Sequence, residues 1–190
     1  MTRPNMQAAR TAYEALYEGT RIETTIRHAA SSLELVPALH AITLPHQEIA
    51  RAAGVAAEDL AAWWRLGIVL LLYPYARHRV DGGFNFGRHV HRHAPRAERY
   101  FDVLLTQKVP ERGMFVRALR TILIRTRRQH APVDWTLLGE DILWWNSETS
   151  TAWRQGWKGG DGDEESPASG VRPAAGIVQD ELAPRRASVS

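Results

Sequence analysis

Apolar positions recur with the three-to-four-residue period of amphipathic helices along most of the first 158 residues. Asn5 is placed to cap a helix running to about Glu18, with Ala9, Tyr13, Leu16 and Tyr17 inward and Gly19 ending it. Thr20 caps a second, in which Ile22, Ile26 and Ala29 or Ala30 face the core and Arg21, Arg27 and His28 stay outside. A short helix carries Leu35, Leu39 and Ile42, bent or begun at Pro37. Pro45 opens another, closed by Gly54. Glu58 and Asp59 then precede a run through Trp63, Trp64, Ile68, Leu71 and Leu72 that is apolar nearly all round. A helix of that kind has no solvent face, so this is the predicted buried centre, stopped by Pro74.

The second half follows the same rule. Arg77 to Phe84, with Asp81-Gly82-Gly83, reads as an exposed loop, and Phe86 to His93 as a short helix. Pro95 starts a helix with Tyr100, Phe101, Leu104 and Leu105 inward. After Pro110 and Glu111, Phe115, Ala118, Leu119, Ile122 and Thr126 fall on one helical face. Pro132 precedes a helix directing Leu137, Leu138, Ile142 and Trp145 to the core, and a last helix carries Trp153 and Trp157. Trp63, Trp64, Trp144 and Trp145, at helical spacing beside Leu and Ile, read as core. No strand pair and no Asn-Gly hairpin turn is present. The predicted fold is all-α, a two-lobed multi-helix bundle over residues 1–158, divisible into lobes 1–84 and 85–158 sharing a core. Residues 159–190 lose the periodic pattern and read as a disordered tail.

Charge changes this picture from a generic bundle to a polarised one. The formal charge is only +3, yet residues 77–128 hold 13 Lys and Arg against four Asp and Glu, with four His. The tail holds six acidic residues and three basic ones. On the helix after Pro110, Arg117, Arg120, Arg127 and Arg128 gather within about 100° opposite the apolar face, with Arg125 at the edge. Clustered guanidinium groups repel one another until a partner supplies phosphates, which their planar fork matches bidentately. A basic stripe of this kind points to a polyanion, nucleic acid before membrane. There is no cysteine, hence no disulfide framework or thiolate metal site. The greasiest run, Leu66 to Tyr75, is about half of a membrane span. With an N-terminus that reads as an amphipathic helix and not a signal peptide, the expected location is cytoplasmic.

Candidate chemistry narrows the reading further. His89, His91 and His93 invite a metal, but on a helix only His89 and His93 share a face, and Arg88, Arg92 and Arg96 would repel a cation. Surface or phosphate-contacting histidines are the better reading. Paired catalytic carboxylates, a Ser/His/Asp set, HExxH and a phosphate-cradling glycine loop are all absent from the sequence. No cofactor is expected. A metal-dependent nuclease built on His89, His91 and His93, and a free-standing helical DNA-binding regulator, are the alternatives. The latter would want base-reading Asn, Gln or Ser beside the arginines, which the basic helix lacks.

Several short stretches, in order, resemble the CasB family, the small subunit of the type I-E CRISPR Cascade complex. They are Pro37-Ala38-Leu39, Phe86-Gly87-Arg88, Glu98-Arg99-Tyr100-Phe101 with Leu104-Leu105, Ala118-Leu119-Arg120 through Leu123, Asp134-Trp135 and Leu143-Trp144-Trp145. The last two are the most specific. The resemblance covers roughly Arg10 to Trp157; the His trio, the Asp81-Gly82-Gly83 loop and the tail depart from it. It implies a non-catalytic all-helical subunit, present in two copies beside other Cascade subunits, near the guide RNA–target DNA hybrid and the displaced strand. Swapping a DNA duplex for an RNA–DNA hybrid is nearly energy-balanced, so sequence-blind backbone contacts can decide whether the open loop persists. The expected nucleic-acid-binding residues are Arg27, Arg77, Arg79, Arg88, Arg92, Arg117, Arg120, Arg125, Arg127 and Arg128.

Overall fold

In the computed structural model the first helix, α1 (Met6–Tyr17), begins where Asn5 Oδ1 accepts the Ala8 N–H at 2.9 Å. Residues 4–32, 34–76, 85–110, 113–131 and 133–159 are described. The loop expected from Arg77 to Phe84, Glu111, and the tail from residue 160 lie outside them. Helix α2 (Arg21–Ser31) starts in a variant of the capping box, its return bond shifted one residue to Gly19. Thr20 accepts the Glu23 N–H, while the Glu23 carboxylate reaches back to the Gly19 N–H at 2.9 Å. Helices α3 (Leu35–Ala41) and α4 (Thr43–Ala53) follow, each with its proline in the first turn, and Gly54 closes α4 in the left-handed conformation (φ 70°).

Helix α5 (Leu60–Ala76) is the buried centre, with every residue from Leu66 to Pro74 buried. Pro74 does not stop it: the missing N–H costs only the bond to the Leu70 carbonyl, and the helix runs on to Ala76. Helices α2, α3, α4, α8 (Gly113–Arg128) and α9 (Trp135–Leu143) all pack against α5. At its amino end the buried His46 stacks on Trp63 with ring centres 4.1 Å apart and donates Nε2–H to the Trp63 carbonyl at 2.8 Å.

On the far side of α8 from α5 stand α6 (Phe86–His93), a 3-10 turn (Pro95–Ala97), α7 (Glu98–Thr106) and α10 (Ser147–Lys158). Their core is aromatic. Trp145 meets Phe115 and Trp153 edge-on at 4.9 Å each, and Phe101 stacks on Trp157 at 4.8 Å. Among the described residues the elements are ten α-helices and this one 3-10 turn, so the fold is all-α. None of these helices is long and apolar enough to cross a membrane.

Five inward assignments are corrected. Leu16, Ile22, Tyr100 and Leu137 sit at the margins of their apolar stripes and are exposed, and Trp144 is exposed just past the end of α9. Trp144 and Trp145 follow Leu143, the last residue of the helix that ends there, so helical periodicity no longer governs them; Trp145 turns into the core while Trp144 stays outside. Trp63 and Trp64 are half-buried, whereas Trp153 is fully inside.

Helices α6 and α10 approach so closely that their contact is backbone on backbone. A Cβ on Gly87 would overlap the Trp153 carbonyl, and one on Gly156 would overlap the Asn85 side chain. Gly87→Ala is therefore expected to lower stability by about 1–3 kcal/mol, as overpacking does. Gly113→Ala, at an open helix start, is neutral or slightly stabilising. Thermal melts of the two variants side by side check both.

Candidate nucleic-acid interface

Helix α8 buries Phe115, Ala118, Leu119, Ile122, Leu123 and Thr126, which turns its arginines outward as the periodicity requires. The outward row is not a single bare face, however. On one flank Arg120 sits over the Tyr75 ring, its guanidinium carbon 5.7 Å from the ring centre and Nε 3.4 Å from the hydroxyl. Arg127 donates from Nη1 to the Pro74 carbonyl at 3.0 Å. Both contacts fall on the last turn of α5, where carbonyls lack helical partners and the dipole favours a cation by roughly 0.3–1 kcal/mol. On the other flank Arg125 donates to the Arg96 carbonyl at 2.7 Å and lies 5.0 Å over the Tyr100 ring. These oxygens and rings are uncharged, so the three guanidinium groups are held in place without being neutralised. A phosphate competes well for such groups, because it adds full charge–charge attraction and can accept two parallel N–H bonds from one guanidinium fork.

The row thus opens onto two surfaces. Arg117 and Arg120 border a narrow crevice against Ala30 of α2, Leu35 of α3 and Leu72 of α5. Arg125 and Arg128 form one wall of a groove of about 670 Å³ whose other wall is Arg92, His93, Pro95 and Arg96. Four guanidinium groups from α6, the 3-10 turn and α8 therefore converge on one concave site. Arg96 was not among the expected residues. Its signal was the run of alternating basic residues from Arg88 to Arg96, and Pro95 sets the turn that swings it toward α8. Arg88 is exposed on α6 but is not among the residues lining either hollow. Arg27 is tied to the Glu23 carboxylate at 3.1 Å and likewise lies apart from both. Arg77 and Arg79 fall outside the described residues.

The histidine run splits as its helical spacing predicts. The His89 and His93 rings are 4.8 Å apart on one side of α6, while His91 packs edge-on against Trp157 at 5.2 Å. His89 is only 9% exposed, which corrects its reading as a surface group; it belongs to the packing of α6. No three of His, Asp and Glu come together as a metal site among the described residues.

The motif residues behind the resemblance do structural work for the most part. Asp134 Oδ1 accepts the Thr136 and Leu137 N–H groups at 2.9 and 3.0 Å, capping α9. Trp135 donates its indole N–H to the Val69 carbonyl at 2.8 Å, and Trp145 donates to the Gln107 carbonyl at 2.9 Å. Gly87 permits the α6–α10 contact. The family model for CRISPR-associated protein Cse2 matches residues 9–159, the greater part of the chain. No curated protein and no solved structure matches it.

Burial, and then the charges of His93 and Arg92, push His89 down from its ordinary 6.5 to about 4. A histidine whose pKa falls on folding lets the unfolded chain take the proton first. Its contribution to stability is therefore complete above about pH 6.5 and is lost as the pH falls toward 4. His46 and His93 are lowered in the same direction by burial. Removing one of the three isolates its share. The melting-temperature gap between the wild-type chain and His89→Gln is expected to narrow between pH 7 and pH 4; a gap independent of pH would contradict the assignment.

Proposed function

Since the chain belongs to the Cse2, or CasB, family of type I-E Cascade subunits, we propose that it is a non-catalytic clamp for polynucleotides within that complex. Its α8 face and the adjoining groove hold the guide RNA–target DNA hybrid and the displaced DNA strand, and so stabilise the R-loop in antiviral defence. The observation that carries this reading is the convergence of Arg92, Arg96, Arg125 and Arg128 on one groove beside the Arg117–Arg120 surface. The groove's chemistry suits phosphates and not bases. Its charged groups are guanidinium forks, with one imidazole and one amide, His93 and Gln129, at the rim. Contacts of that kind position a strand of any sequence, which a surveillance complex that reads sequence through its guide requires.

Arg125 braces the wall of the groove through the Arg96 carbonyl, so the clean variants are those at Arg92, Arg96 and Arg128. Arg92→Ala, Arg96→Ala and Arg128→Ala combined should leave helical content and melting temperature close to wild type. The slope of log affinity against log salt for single- or double-stranded DNA should fall by about 0.7–0.9 for each phosphate contact removed. Target retention by the assembled complex should weaken in parallel. A slope unchanged from wild type would falsify the assignment of this groove.

A further inference from the structure

On the amino-terminal side of α5 lies a second groove, of about 460 Å³, whose character is the reverse of the first. Val55, Ala62, Leu143 and Trp144 give it apolar walls, and Glu58 and Asp59 stand on its rim. Trp144 is 39% exposed, and Leu60, next to the rim, is 65% exposed. Neither is a loose end. Arg65 donates from Nη1 to the Leu143 carbonyl at 3.0 Å, fastening the last turn of α9 to the first turns of α5. Asp59 caps α5 through the Ala62 N–H at 3.1 Å. The indole is thus displayed by a braced backbone, in a hollow that exists before anything enters it.

We infer that this groove is a docking site for a neighbouring protein subunit, which inserts one bulky apolar side chain flanked by Lys or Arg. Charge decides the class of occupant. Glu58 and Asp59 outnumber the single guanidinium of Arg65, which its carbonyl partner leaves charged, so the lining is net negative, repels a polynucleotide and favours a cationic segment. A rigid, partly exposed tryptophan in a preformed hollow is the usual anchor of a protein interface, since little ordering cost remains to be met on binding. The inference rests on membership of a multi-subunit complex and not on the assignment of the basic groove, so the two can fail separately.

The test uses the full chain co-expressed with the remaining Cascade subunits and a guide RNA. Trp144→Glu should leave melting temperature and DNA affinity of the isolated chain unchanged while cutting its incorporation into the complex on the order of tenfold or more. Trp144→Phe should restore much of it, and Glu58→Lys should also weaken incorporation. With p-benzoylphenylalanine in place of Trp144, irradiation of the assembled complex should cross-link the chain to another subunit at a segment carrying Lys or Arg beside an apolar residue. A cross-link to a second copy of this chain, to residues 160–190 of the same chain, or to nothing at all would overturn the inference. So would normal incorporation of Trp144→Glu.

Discussion

Helix α5 is apolar on every side from Leu66 to Pro74, so no single partner can bury it. It has to be enclosed, and the remaining helices take their places from that requirement. Helices α2, α3, α4, α8 and α9 supply the enclosure, with Tyr13 of α1 lying against Tyr73 at a ring separation of 3.7 Å. Exclusion of water from such a helix is the largest favourable contribution available to a fold of this size. Specific polar contacts then fix the register. The Trp135 indole on the Val69 carbonyl sets α9, and the Arg127 guanidinium on the Pro74 carbonyl sets α8.

The consequence for charge is unusual. Arginine side chains that brace a fold commonly do so through carboxylates and lose their field. Here Arg120, Arg125 and Arg127 brace it through a hydroxyl, two carbonyls and two tyrosine rings. Their side-chain entropy is already reduced, while their charge remains. The same residues that hold α8 against α5 and the 3-10 turn therefore hold the cationic surface in shape. Arg27 shows the contrast: its partner is Glu23, and its field is largely cancelled at source.

Much of this was legible in the chain. Asn5, Thr20 and Gly54 mark helix ends because their side chains, or the lack of one, meet a local need of the backbone, and local needs are visible in sequence. The inner row of α8 was legible for the same reason. What could not be read depends on residues far apart in the chain. The bond from Arg127 to Pro74 spans 53 positions, and the groove needs α6, the 3-10 turn and α8 to meet at an angle that no single segment specifies. The outward Trp144 is not legible because the apolar pattern does not show that α9 ends at Leu143, after which the chain leaves its helical course and only Trp145 turns inward. His89 was read as a surface group because its charged neighbours are Arg88 and Arg92; both are exposed, and they carry the polar face of α6 while His89 turns in.

The glycine contact between α6 and α10 bears on how the molecule is joined together. Main chain meets main chain at Gly87, and the Phe86 and His91 rings pack on Trp153 and Trp157 beside it, so Arg92 on α6 and Trp153 on α10 belong to one tightly packed piece. Trp153 in turn donates its indole N–H to Asp141 of α9 at 2.6 Å, two residues before the Leu143 carbonyl that Arg65 holds. Arg92 and the Arg65–Leu143 clasp are thus joined by a continuous chain of close contacts running through α6, α10, α9 and α5.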